Sequence, residues 1–391
     1  MKVLYITSKP AYPKLDGGCV ASVKFIETLL LADVRVKYLT IGTTKHPFDR
    51  LAFPSKLESW IQPESRFIDT AVRPIKAVRY LFNRKSYNID RFYNKSFDEL
   101  ILSTLEDGNF DTIILDSLYS TPYLASIRKN YTGKVILRTH NVEFNIWAGR
   151  AENETNPLKK KYLKRLAKDL KRYEIDTLNA VDGIMTLTEE DKDDFLKLGV
   201  QIKSTLIPVA IDLKKVQHDY SATSLFHLGS MNWLPNIEAV NRLIGLMPKL
   251  KKEIPDVIFH ITGIHAETEF QNQPDQGIVV DGFIEDLPEY TSQMGIMVSP
   301  ITTGSGIRIK ILEMMACGVP IITTKLGAQG INPTGNLIIA DTDEEIIHAI
   351  VDLIADENKR KMLGENAISY INLHHHPITI SKKIIEFIAS I

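Results

Sequence analysis

The chain alternates short, almost wholly apolar runs with longer amphipathic stretches, and few folds tolerate that pattern. The first runs are Val3 to Thr7, Val36 to Ile41, Thr112 to Leu115, Val135 to Thr139 and Gly183 to Leu187. A second series comprises Leu225 to Leu228, Val257 to Thr262, Ile278 to Asp281, Ile296 to Ser299, Pro320 to Thr324 and Leu337 to Ala340. Runs this short and this apolar read as strands buried on both faces. Helical patterns of about ten residues or more separate most of them, which predicts parallel sheets covered by helices on both sides.

The alternation restarts near residue 205. Ile207 to Asp212 closes the first series, and the polar segment Lys214 to Thr223 precedes a new first strand at Leu225. At roughly 100–200 residues per domain, the 391 residues suit two domains, 1–205 and 206–375. Two doubly wound domains facing each other would set their strand C-terminal loops around one central cleft, where such sheets bind ligands.

Bulk composition removes several functions. The formal net charge is -1, whereas a nucleic-acid binder carries a basic excess. Only Cys19 and Cys317 are present, which suits a reducing cytoplasm better than a disulfide scaffold. The opening Met1 to Thr7 is too short and alternating for a signal peptide. No apolar stretch reaches the roughly 18 residues of a membrane span. Leu158 to Tyr173 reads as a helix with Leu158, Tyr162, Leu166, Leu170 and Tyr173 on one face and strongly basic elsewhere. It either docks on the core or also meets an anionic membrane surface. The basic and aromatic stretch Arg73 to Arg91 adds slightly to the second reading.

Chemistry concentrates in Val298 to Thr324, VSPITTGSGIRIKILEMMACGVPIITT. A strand ends near Pro300, Gly304-Ser305-Gly306 forms a loop, and a helix runs from about Arg308 to a cap at Gly318. Glycines let backbone approach a bulky anion, and free N–H groups at a helix start carry partial positive charge. Arg308 and Lys310 add two cations where cations are normally unfavourable, which a bound pyrophosphate would explain. Glu313, three residues after Lys310, can accept the paired hydroxyls of a ribose.

This segment resembles the donor motif of the retaining GT-B glycosyltransferases of family 4, in the branch reading Gly-x-Gly-x-Arg-x-Lys-x-Leu-Glu. The resemblance implies two Rossmann-like domains, with helix 376–391 crossing back to the first. It implies transfer of a sugar from a nucleoside diphosphate to a glycan or lipid-linked acceptor, as in bacterial surface polysaccharide synthesis. Glu313 matches the ribose glutamate, and Ser305 stands where the usual motif has a second glutamate. Gly229, Ser230 and the loop to Asn236 match the donor phosphate loop, without its usual Arg and Lys, a charge that Arg308 and Lys310 would supply. Phe283, in Val280 to Asp286, matches the nucleobase loop, although a strand followed by a helix cap explains that segment equally. Gly304, Gly306 and Ile307 complete the donor set. In the first domain, Gly17 and Gly18 resemble the loop facing donor phosphate and acceptor, and His140 the histidine that contacts the donor sugar. Glu143 either binds acceptor or caps a helix.

No cofactor or metal is expected. His374-His375-His376 cannot all point at one ion from a regular element, and no zinc spacing accompanies them. No Asp-x-Asp pair sits at a strand end to hold magnesium. His140, Arg308 and Lys310 are the expected catalytic groups, with front-side attack and leaving-group stabilisation. A nucleotide-sugar epimerase of the same fold and a non-catalytic nucleotide-sugar binder are the rival functions. A hydride-transferring enzyme is disfavoured because no Gly-x-Gly-x-x-Gly follows the first strand.

Overall fold

The computed structural model describes residues 1–71, 86–213, 218–304 and 306–391. Most of the basic stretch at 73–91, part of the linker at 214–223, and Ser305 lie outside these residues. The chain forms two compact units, one of Met1–Ala210 with Pro377–Ile391, the other of Ile211–His376.

The first unit is built on a seven-stranded parallel sheet: β1 (Lys2–Thr7), β2 (Arg35–Gly42), β3 (Glu64–Phe67), β4 (Thr112–Asp116), β5 (Lys134–Arg138), β6 (Gly183–Thr186) and β7 (Ser204–Leu206). Its order is β3-β2-β1-β4-β5-β6-β7. Successive side chains enter opposite cores. Leu4 and Ile6 pack with Leu39, Ile113, Leu137 and Ile184 on one face, whereas Val3 and Tyr5 pack with Tyr38, Ile114, Ile136 and Met185 on the other. Burial on both faces is the physical reason the strand sequences are continuously apolar.

Helix Gly17–Leu31 covers the second face, together with the terminal helix Pro377–Ser390 through Ile380, Ile384, Phe387 and Ile388. The basic helix spans Pro157–Leu178 and buries Leu166 and Leu170. Leu158 was expected on the same apolar stripe but is 82% exposed. It lies in the first turn, where Asn156 caps the helix by accepting from the Leu158 and Lys159 amides, so the stripe meets the core only further along.

The second unit has six parallel strands: β8 (Leu225–Leu228), β9 (Phe259–Thr262), β10 (Ile278–Gly282), β11 (Ile296–Ser299), β12 (Ile321–Thr323) and β13 (Ile338–Ile339). The order is β10-β9-β8-β11-β12-β13. Both sheets reverse direction at their first strand. The crevices at the carboxyl ends of β1/β4 and β8/β11 are therefore the natural ligand positions of these two sheets.

Candidate functional site

In the second unit, two loops meet at the β8/β11 crevice. Gly304 and Gly306 have φ of 94° and 81°, a left-handed conformation that side chains other than glycine adopt at a cost. A Cβ on Gly304 would lie 3.1 Å from the Trp233 ring and 3.4 Å from Pro235, so the glycine allows the loop after β11 to press onto the loop after β8. Arg308 is the N-cap of helix Ile309–Ala316. It is 4% exposed, stacks over Trp233 at 5.4 Å and donates to the Gly306 carbonyl. Burial lowers its pKa to about 10, so it remains charged at neutral pH.

Lys310 is placed differently from the sequence expectation. Its ammonium does not join Arg308 at the open loop but turns back toward β8. It donates to the Leu228 carbonyl and Asn236 Oδ1, each at 2.7 Å, and lies 3.3 Å from His227 Nε2. His227 Nδ1 donates to the Val298 carbonyl at 2.9 Å, which leaves Nε2 as an acceptor for Lys310. Burial and the nearby Arg308 charge lower Lys310 to about 7. Burial and then the Lys310 charge lower His227 to about 3. Lys310 thus ties β8 to the Asn236 helix, and Arg308 is the cation left beside the glycine loop.

The helix Leu234–Glu253 begins after Trp233, so Asn236 lies in its first turn. The Asn236 amide donates to the Ser230 carbonyl at 2.9 Å and accepts from Lys310. The loop carrying Gly229 and Ser230 is braced from below. Gly263 approaches it so closely that a Cβ there would sit 2.0 Å from the Gly229 oxygen. Glu313 lies half-buried within helix Ile309–Ala316, and Ile307 is half-buried in the loop before it. Phe283 is 65% exposed after β10, and Asp286 caps the following helix Leu287–Ser292 by accepting from the Glu289 amide.

In the first unit, Asp16 caps helix Gly17–Leu31 by accepting from the Cys19 amide. Gly18 allows close packing, since a Cβ there would meet Lys9 Nζ at 2.4 Å. His140 follows β5, and its Nε2 lies 2.8 Å from Asp116 Oδ1 at the end of β4. Glu143 does not cap its helix, Glu143–Asn153. It is buried and accepts from the Tyr119 hydroxyl at 2.9 Å. Glu174 performs the capping, accepting from the Glu143 and Phe144 amides at 2.9 and 3.0 Å.

Three carboxyls gather here, Glu143, Glu174 and Asp191, all buried. Burial lifts Glu174 to about 8 against the pull of its two amide donors, and lifts Asp191 to about 6. A carboxyl raised in the folded state binds more protons there than when unfolded. Stability from Glu174 is therefore fully present near its unfolded pKa of about 4.3 and declines as pH rises toward about 8. Glu174→Gln should flatten the fall in melting temperature between those values, read by thermal unfolding across pH; an unchanged slope would remove Glu174 as its source.

Among the described residues, the His/Cys/Asp/Glu grouping compact enough for an ion is Asp16, Cys19 and His46. The Lys9 ammonium already lies 2.6 and 2.8 Å from the two Asp16 oxygens, where a cation would sit. Burial pushes the Cys19 thiol up to about 11, away from the thiolate that binds metal. His374 ends helix Glu357–His374, and buried His375 accepts from the Ile211 amide through its carbonyl.

Residues 222–356, which hold both loops of the β8/β11 crevice, match the family described as glycosyl transferases group 1. The chain is 23% identical over 287 residues to an uncharacterized 44.6 kDa protein in the cps region of Klebsiella pneumoniae, covering 69% of this chain and 72% of that one. It is 26% identical over 140 residues to a GDP-mannose-dependent alpha-(1-6)-phosphatidylinositol monomannoside mannosyltransferase of Mycolicibacterium smegmatis, covering 31% of this chain and 37% of the relative. Among solved structures, sucrose-phosphate synthase from Thermosynechococcus elongatus superposes with a TM-score of 0.70 at 14% identity, covering 100% of this chain and 99% of that one. Anabaena HepE in complex with UDP gives a TM-score of 0.69 at 14% identity, with 100% of each chain covered. The fold is GT-B. Among the described residues no helix is long and apolar enough to cross a membrane.

Proposed function

We propose that the chain is a retaining glycosyltransferase that moves a sugar from a nucleoside diphosphate to a glycan or lipid-linked acceptor without a metal ion, in the synthesis of a bacterial surface polysaccharide. The observation that carries this reading is the β8/β11 crevice. Two left-handed glycines, a buried Arg308 and a helix start converge there on one open loop. Such a place stabilises the charge that develops on a departing diphosphate. Glu313 would hold the ribose, and Phe283, exposed after β10, would meet the base. HepE, a structural neighbour, has been solved in complex with UDP and with UDP-glucose, and an uncharacterized relative comes from a cps region.

In this reading His140 contacts the donor sugar, and Gly17 and Gly18 form the acceptor or phosphate loop. Retention by front-side attack follows from the same reading, since a leaving group held by Arg308 can direct the acceptor hydroxyl to the face it vacates. The exposed Lys159, Lys161, Lys164, Lys168 and Lys171 on helix Pro157–Leu178 would favour contact with an anionic membrane surface at the cytoplasmic face.

Calorimetric titration with UDP-, GDP- and ADP-sugars tests the donor directly. Binding of one of them, undiminished by EDTA, is expected; no binding by any would end the proposal. Glu313→Ala should weaken that nucleotide by about 1–3 kcal/mol. An unaltered dissociation constant would take Glu313 out of the ribose site.

A further inference from the structure

Asp116 falls outside every motif visible in the sequence, yet its carboxylate is the most heavily bonded group at the β1/β4 crevice. Oδ1 accepts from Arg138 Nη1 at 2.7 Å and faces His140 Nε2 at 2.8 Å. Oδ2 accepts from the Tyr5 hydroxyl at 2.6 Å and the Ser22 hydroxyl at 2.7 Å. A carboxylate offers about four lone-pair directions, so all are taken. The partners come from β1, β5, helix Gly17–Leu31 and the turn after β5, which fixes the aspartate from every side. It is 2% exposed. Burial alone would favour its neutral form, but the Arg138 charge and the hydrogen bonds donated by His140 and Tyr5 hold it far below the usual carboxylate range.

An anionic oxygen 2.8 Å from Nε2 dictates where the imidazole carries its proton. An unprotonated Nε2 would set its lone pair against the carboxylate. Arg138 Nη1 lies 3.0 Å from the same ring nitrogen, but its closer contact, at 2.7 Å, is to the shared anionic oxygen. We infer that Asp116 is a positioning residue that fixes His140 with its proton on Nε2 and leaves Nδ1 to meet the substrate as an acceptor for a sugar hydroxyl. The inference rests on the reading of His140 as a donor-sugar contact. It adds a chemical preference: Nδ1 of the neutral ring accepts from an O–H and repels a phosphate oxygen. Such tautomer control by a second carboxylate is a general device for histidine.

Two measurements test it. Histidine 15N labelling, with His140 assigned through His140→Ala, reads the tautomer in the wild-type protein by two-bond proton–nitrogen correlations. The Nε2–H form is expected at neutral pH, and a Nδ1–H form overturns the inference. This measurement stands even where a variant fails to fold. The second is a double-mutant cycle on release of nucleoside diphosphate from UDP-glucose or GDP-mannose, whichever the wild type hydrolyses faster. Asp116→Asn should slow release at saturating donor by about tenfold or more and leave the donor dissociation constant within about twofold. The double variant with His140→Ala should be no slower than His140→Ala alone, because both changes break one unit. Losses that multiply would show Asp116 acting independently of the histidine and overturn the inference. Full activity of His140→Ala would overturn the sugar contact itself, whereas a Nδ1–H ring in an active enzyme overturns the role of Asp116 alone.

Discussion

Arg308→Ala is expected to lower turnover by about 10²–10³-fold, the cost of removing a preorganised group aimed at developing charge. The effect should be this large because of where the charge sits. Arg308 caps the amino end of helix Ile309–Ala316, so the helix dipole opposes it. It is nearly enclosed and lies against Trp233, and its own charge helps to depress Lys310. The opposed helix dipole and the burial raise the local positive potential, which is relieved when a dianionic leaving group arrives. Affinity for the free nucleoside diphosphate should fall less than turnover, since the field acts most on charge that grows as the glycosidic bond breaks. Arg308→Lys should recover only part of the loss, because an ammonium lacks the planar fork that can bridge two phosphate oxygens while stacking on an indole. Steady-state kinetics alongside calorimetry check this. Equal losses in affinity and turnover would make Arg308 a ground-state binder.

Arg138→Leu should produce the largest change in stability. Arg138 is 1% exposed, and its guanidinium pairs with Asp116 while lying 4.5 Å from the centre of the Phe25 ring. Leucine fills the space but strands an anion inside the sheet, which costs about 3–5 kcal/mol. At roughly 2–4 °C per kcal/mol for a unit of this size, the first unit should melt about 6–20 °C lower. The sign with pH is also fixed. In the wild type the depressed Asp116 contributes stability that is lost only as pH falls through its low folded value. In the variant burial raises the same carboxyl, so the deficit should shrink in acid. Arg138→Leu combined with Asp116→Leu should recover much of the loss. Thermal unfolding decides the matter, and a melting point unmoved by the single change would contradict it.

The sheets were legible where strands are central. Eleven apolar runs predicted from the sequence correspond to strands here, from Val3 to Thr7 at β1 through Leu337 to Ala340 at β13. The two unforeseen strands are the edges of the first sheet, β3 with sequence ESRF and β7 with STL. Both are paired on one side only and carry polar residues, so no apolar run announces them, whereas the edges of the second sheet, β10 and β13, keep apolar sequences. The glycine loop and helix after β11 were equally readable, because left-handed turns leave glycines in the sequence. What spacing could not reveal was the direction of each charge. Lys310 was expected beside Arg308 and proves to be tied to Leu228 and Asn236. Arg138 went unremarked inside a run that reads as plain core, and Asp116 stands just past the end of another. The one available signal was their chemistry: an acid and a base, each closing a buried parallel strand.

The return of the last helix to the first unit orders events during synthesis. Ile380, Ile384, Phe387 and Ile388 complete a core begun by Val3 and Tyr5. Residues 211–376 must emerge from the ribosome before those side chains can arrive. The amino-terminal sheet therefore waits with part of one apolar face uncovered until those residues have been made. A recombinant first unit will need its tail spliced back on, not merely a stop codon after Ala210.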